Sequence, residues 1–304
     1  MNPQVVLVTL IGILLLACST TASYPEGFFG EGTGDGEFDS PGSVAVAHDG
    51  RVYVVDSGNH RIQELTTDGE FVAKWGTEGA GDGQLWYPRG IAVASDGGVY
   101  VADIGNHRIQ KFTSEGVFVA KWGTEGAGDG QFNKPGNVAV ASDGSVYVVD
   151  MDNHRIQRFT SDGVFVAKWG TEGAGDGQFN RPSDVAVAFD GSVYVADSYN
   201  NRIQKLTADG VFVGKWGTKG DGDGQFDYPS GVAVASDGSV YVADIRNSRI
   251  QKFTAAGVFV NKWGTQGDGG RQFDYPQDLA VASDGSVYVA DSANNRIQRL
   301  FRRP

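Results

Sequence analysis

The sequence predicts an all-β fold: a six-bladed β-propeller with four antiparallel strands per blade, whose last blade is completed by a strand from the N-terminus. Three observations carry this. The motif Val99-Tyr100-Val101-Ala102-Asp103 recurs at a constant step of 47 residues, which places its aspartate at Asp56, Asp103, Asp150, Asp197, Asp244 and Asp291. The arginine that follows keeps the same step, at Arg61, Arg108, Arg155, Arg202, Arg249 and Arg296. Each period holds four short apolar runs separated by turn residues. A fixed period of this size decides the architecture before any other feature does.

In the second copy the runs are Ile91 to Ala94, Val99 to Ala102, Arg108 to Phe112 and Val117 to Trp122. The separators are Ser95-Asp96-Gly97-Gly98, Asp103-Ile104-Gly105-Asn106 and Thr113-Ser114-Glu115-Gly116. Runs of four to six residues rich in Val, Ile, Tyr and Phe, bounded by Gly and Asp, read as hairpin-linked strands. Four antiparallel strands make one propeller blade. No stretch within the repeats has helical spacing, which excludes a helical solenoid. The first two strands show no polar face, so both sides are covered, as they are when neighbouring blades stack. Apolar burial between blades is then the main driving force.

Taken in order, the chain opens on Val5 to Ala17, an apolar run broken only by Thr9 and Gly12. It is short for a membrane span, which needs about 20 residues. It fits the apolar core of a secretory signal peptide over residues 1–17. The run ends Leu15-Leu16-Ala17-Cys18, which resembles the lipobox of bacterial lipoproteins and implies cleavage before Cys18 and lipidation there. No Lys or Arg stands in residues 2–4, a departure from that pattern, and cleavage after Ala22 with secretion is the alternative. The expected location is the cell envelope, lipid-anchored to a membrane. Residues 18–23 form a short tether, and residues 24–304 the propeller.

Tyr24-Pro25-Glu26-Gly27-Phe28 occupies the register of Phe71-Val72-Ala73-Lys74-Trp75, a fourth strand. The last copy stops at Leu300-Phe301, the end of its third strand. The sixth blade is therefore expected to join three C-terminal strands to one N-terminal strand, leaving only protected edges. Such a ring is expected to be monomeric. Blades one to five each end in tryptophan, at Trp75, Trp122, Trp169, Trp216 and Trp263, and Phe28 takes that place in blade six. A tryptophan at a repeat position is expected to pack against the neighbouring sheet.

The formal net charge is −12, which repels phosphate backbones and argues against nucleic acid as a partner. Cys18 is the one cysteine, so neither an internal disulfide nor a cysteine zinc site can form. The 45 glycines recur at fixed turn positions and do not mark disorder.

The repeat resembles the NHL family. The residues that carry the resemblance are, in blade two, Pro88, Ile91-Ala92-Val93, Val99 to Asp103 and Asn106-His107-Arg108-Ile109-Gln110. The match extends through all six copies. It implies the propeller fold. On function it implies a wide range: protein or RNA binding, extracellular sensing, or lyase or lactonase chemistry.

A residue present in every blade serves the blade, whereas a residue present once is free to serve a ligand. The six Asp/Arg pairs fall in the first class: the aspartate satisfies turn amides and the arginine is its charge partner. His60, His107 and His154 share one repeat position in consecutive blades, where Asn201, Ser248 and Asn295 follow. Their side chains are too far apart around a ring to meet on one zinc ion. His48 stands apart, beside a turn. The connection Gly123 to Phe132 lacks the Gly-Lys-Ser/Thr ending of a phosphate loop. Asp221, Asp223 and Asp227 lack the closing glutamate of a calcium loop.

Hairpin topology puts the fourth-to-first connections and the second-to-third turns on one face of the disc, here the upper face. Most residues that differ between blades fall there. Arg89, Asn137, Asp184, Gln277 and Asp278 follow the first-strand prolines at the mouth of the central channel. Asp152, Tyr199 and Arg246, with Met151, lie in second-to-third turns. Trp86 and Tyr87 precede Pro88, and Trp86 with Arg89 is expected to form one aromatic and cationic spot. These residues suit a protein or glycan partner. No cofactor is required by this reading. The competing expectation is a metal-assisted lyase or lactonase, with Asp152, Asp184 and Asp278 holding calcium or zinc at the mouth.

Overall fold

The computed structural model describes residues 30–300 and the backbone of Gly27 and Phe28. Residues 1–26, which include the apolar leader, Cys18 and the tether, lie outside the described residues, as do residues 301–304. Six four-stranded antiparallel sheets form the six blades. Blade one runs Pro41–Val46, Val52–Asp56, Arg61–Leu65 and Phe71–Trp75, and blades two to five repeat that order. Blade six takes Pro276–Val281, Val287–Asp291 and Arg296–Leu300, and its outer strand is Gly27–Phe28. Phe28 stands opposite Ile297, as Trp75 stands opposite Ile62, so the N-terminal segment closes the ring in the expected register.

The second strand of each blade is buried along its whole length. The fourth strand of blades one to four alternates, with one side of its pleat outward. The core is six separate apolar layers between blades. One layer joins Tyr53, Val55 and Ile62 of blade one to Leu85, Ile91 and Phe112 of blade two. The layer that seals the ring sets Phe38, Val44 and Leu65 against Tyr288, Ala290 and Ile297. Trp75 bridges such a layer: its ring lies 5.9 Å from Tyr53 in its own blade and 6.3 Å from Phe112 in the next. The indole nitrogens of Trp75, Trp122 and Trp216 are buried without a hydrogen-bond partner, which fits a packing role. Each large side chain fully buried this way contributes about 1.5–3 kcal/mol.

The repeated polar residues tie each blade's loops together. Asp103 is fully buried, and Arg108 Nε reaches its Oδ2 at 2.7 Å. The other carboxylate oxygen accepts the backbone N–H of Trp86 at 2.8 Å. Arg108 donates onward to the carbonyls of Ala80, Gly81 and Gln84. Gln110 joins the same cluster through the Gln84 carbonyl and Asp103. The amide that the aspartate satisfies thus belongs to the incoming connection and not to its own turn, and the ion pair fixes that loop on the upper face.

Candidate functional site

Three repeat positions build the upper face around the channel. The first is the residue before each first-strand proline. It is Ser40, Tyr87, Lys134, Arg181, Tyr228 and Tyr275, and all six have positive φ, between 46° and 65°. A non-glycine residue held there is uncommon and needs support. Support comes from the preceding blade. The backbone N–H of Tyr87, Lys134 and Arg181 donates to Nδ1 of His60, His107 and His154 at 3.0, 3.3 and 3.1 Å. Tyr228 and Ser40 donate to Oδ1 of Asn201 and Asn295 at 2.9 and 2.8 Å. The histidines are therefore latches between blades. They too have positive φ, a conformation that suits His and Asn among non-glycine residues.

The second position lies two residues after the proline: Ser43, Gly90, Asn137, Asp184, Gly231 and Asp278. This ring closes the upper end of a channel of about 210 Å³, whose walls are the Val and Ala side chains of the first strands. Asn137 Nδ2 crosses the channel to Asp278 Oδ2 at 3.2 Å, and Ser43 Oγ donates to the same oxygen. Asp278 Oδ1 accepts the Leu279 N–H, and Asp184 accepts the N–H groups of Val185 and Val232. A Cβ at Gly90 would come within 2.5 Å of Asn137 Cα, so only glycine lets the first strands approach here. Burial, and then the Asp278 carboxylate nearby, push the pKa of Asp184 well above its ordinary value. Burial also raises that of Asp278, against the donors it accepts.

The third element is the set of second-to-third turns. Asp152 pairs with Arg181 at 2.8 Å and with Lys134 at 3.1 Å. It does not join Asp184 and Asp278, so the expected three-carboxylate cation site does not form. No group of three or more His, Cys, Asp or Glu is placed to hold a metal among the described residues. The carboxylate oxygens of Asp184 and Asp278 all accept protein donors.

The expected pairing of Trp86 with Arg89 is absent as well. Trp86 is 46% exposed and its indole lies over Gly105 in the turn of its own blade. Tyr87 is 55% exposed, with its ring edge-on to His60 at 4.5 Å. Arg89 turns into the channel mouth, where Nη1 contacts Met151 Sδ at 4.0 Å. Burial pushes the Arg89 pKa down, and the negative charge of Asp184 and Asp278 opposes that shift. Gln277 stands half-buried at the same mouth.

On the upper face, the aromatic and cationic side chains that meet lie in blades four and five. Arg181 sits over the ring of Tyr199 at 5.2 Å and donates to its hydroxyl at 3.2 Å. Tyr199 meets Tyr228 edge-on at 5.2 Å. Arg246 covers Tyr228 at 5.1 Å and pairs with Asp227 at 3.5 Å. Arg181 and Tyr228 are the members that sequence reasoning passed over. Both occupy the position before proline, whose change from blade to blade was a signal open to use; only Tyr87 was singled out there.

Comparison with known proteins agrees with this architecture. The NHL repeat model matches residues 38–65, 85–112, 132–159, 179–206, 226–253 and 273–300. No curated protein matches the chain. Among solved structures, a streptogramin B lyase is 17% identical with a TM-score of 0.64, over 90% of this chain and 96% of that one. A virginiamycin B lyase from Staphylococcus aureus is 19% identical with a TM-score of 0.61, over 88% and 83%. A gluconolactonase from Xanthomonas campestris is 14% identical with a TM-score of 0.65, over 87% of each chain. Identities this low establish a shared fold alone. With six matched repeats, each spanning the end of one connection and three strands of a blade, the chain belongs to the NHL repeat family.

Proposed function

We propose that this chain is an exported, lipid-anchored binding module that holds a protein or glycan partner on its upper face. The observation that carries this is the separation of roles between repeated and singular residues. The repeated Asp, Arg and Gln are spent on holding the loops. Trp86 and Tyr199, each found in one blade only, remain 46% and 45% exposed, and Tyr87 and Tyr275, from a position that varies between blades, remain 55% and 52% exposed on the same face. Exposed aromatic and arginine side chains are the residue types that dominate binding energy at interfaces. Among the described residues the lower face carries one exposed aromatic side chain, Phe189, 92% exposed. A lyase or lactonase reading gains no support from the mouth, because the acidic oxygens there are occupied by protein donors.

The test is retention of the purified protein on its native envelope fraction. Trp86→Ala with Tyr199→Ala should weaken retention by roughly 1–3 kcal/mol. Asp96→Asn on the lower face keeps the acceptor for the Gly98 N–H and should change nothing. An equal response from both faces would overturn the assignment. The anchor rests on Leu15 to Cys18: Cys18→Ser should release the protein from membranes in a lipoprotein-processing bacterium. A soluble wild-type protein without lipid by mass spectrometry would refute that part alone.

A further inference from the structure

Two guanidinium groups from different blades converge on one thioether at the channel mouth. Arg89 Nη1 lies 4.0 Å and Arg181 Nη2 3.8 Å from Met151 Sδ. Like charges this close in a partly desolvated site repel, and repulsion is relieved by an anion between or above them. The protein supplies little of one. Asp152 pairs with Arg181 but is shared with Lys134. Arg89 makes no ion pair among the described residues, and its one hydrogen-bonding contact is the weakly accepting sulfur of Met151. Asp184 and Asp278 lie near Arg89, but their oxygens face other donors. The mouth therefore gathers three cations, Arg89, Arg181 and Lys134, in a chain of net charge −12, and Arg89 among them has no carboxylate partner of its own among the described residues.

The surroundings narrow the ligand. A planar guanidinium matches a carboxylate with two parallel hydrogen bonds. Beside the cations stand Tyr199 and Tyr228, edge-on to each other, with Arg181 over the first ring and Arg246 over the second. Phenolic hydroxyls beside a cationic pair suit a hydroxyl-rich ring that bears a carboxylate better than an apolar peptide side chain. We propose that the channel mouth binds an acidic saccharide, with the carboxylate of a uronate residue held by Arg89 and Arg181 and its sugar ring flanked by Tyr199 and Tyr228. This rests on the reading of the upper face as a binding surface and names the ligand class for it.

The experiment is calorimetric titration of the purified full chain with three probes: trigalacturonate, its methyl ester and inorganic phosphate. Trigalacturonate should bind, the ester should lose at least tenfold in affinity, and phosphate should bind more weakly than the acid sugar. Arg89→Gln installs the residue that blade six carries at the same position, Gln277, so the variant should fold and melt like the parent. Arg181→Lys installs the residue of blade three, Lys134. Each should lower trigalacturonate affinity at least tenfold. Equal binding of acid and ester, phosphate binding as tight as the acid sugar, or no binding of trigalacturonate would each overturn the proposal. Should trigalacturonate fail while the Trp86 and Tyr199 double variant still loses envelope retention, the ligand class falls and the binding face stands. Should retention ignore that double variant as well, both fall.

Discussion

His60 Nδ1 accepts the backbone N–H of Tyr87 at 3.0 Å across the boundary between blades one and two. The bond supports Tyr87 at a φ of 48°, in a conformation that would otherwise be strained. Asn295 does the same for Ser40 across the seam where the chain's two ends meet. At five of the six boundaries one short polar acceptor thus sets the backbone that delivers a variable residue to the channel rim.

The latch predicts an asymmetric response at His60. His60→Asn copies Asn201 and Asn295 and should leave the melting temperature within about 2 °C of the parent, a change worth under 1 kcal/mol. His60→Leu removes the acceptor and should cost about 0.5–1.5 kcal/mol, the net worth of a hydrogen bond whose donor water can reach. Differential scanning calorimetry separates the two. Equal melting temperatures for both variants would show that the bond does not support the loop.

The loop clamp predicts that Asp103→Ala costs about 3–5 kcal/mol, because it strands the buried Arg108 charge. Pairing it with Arg108→Met should not restore stability. The guanidinium also satisfies the carbonyls of Ala80, Gly81 and Gln84, which the double variant leaves without donors. Urea unfolding of the three variants checks this, and full recovery in the double variant would reduce the cluster to a simple ion pair.

The channel carboxyls predict a pH dependence opposite to that of ordinary surface acids. The folded-state pKa values of Asp184 and Asp278 lie above the reference of 3.8. The folded protein therefore binds protons that the unfolded chain has released. Their contribution is fully present below 3.8 and is lost as pH rises through the raised values. Surface acids such as Asp143 and Asp190, whose pKa values are lowered by backbone donors, act in the other direction. Asp184→Asn should thus narrow its stability deficit against wild type as pH rises from 4 towards 7. A constant difference across that range would contradict the assignment.

Ring closure predicts that deleting residues 24–28 destabilises the whole propeller. The segment supplies the strand that pairs with Arg296–Leu300, and its loss exposes that edge. A lower melting temperature and self-association by light scattering are expected. An unchanged melting temperature would show that the N-terminal strand does not hold the ring.

The fold was legible because each of its rules is local and repeated. A strand pattern such as Val99 to Asp103 recurs with its turn residues at fixed offsets, so every copy confirms the others. Even the closure followed, since the register of Gly27 and Phe28 is that of a fourth strand. The site was less legible. Its upper-face location and most of its singular residues were accessible from topology and blade-to-blade differences. The direction of each side chain was not. Trp86 and Arg89 are three residues apart, yet one lies over Gly105 and the other enters the channel. The residues that meet Arg89 and Tyr199 come from other blades: Met151 of blade three lies 62 positions from Arg89 of blade two, and Tyr228 of blade five meets Tyr199 of blade four.

What the amino-acid sequence determined by itself is therefore the period, the strands, the number of blades and the face on which variation collects. These depend on alternation, turn chemistry and charge, all of which act within one repeat. The tertiary structure decided the rest: that the histidines latch neighbouring blades, that Asp152 pairs with Arg181 and Lys134 and not with the channel acids, and that two arginines meet at Met151. The reason is geometric. First strands from all six blades meet at the axis, so the shape of the mouth depends on side chains that no single repeat contains. A Cβ at Gly90 is judged by Asn137, a residue of the next blade.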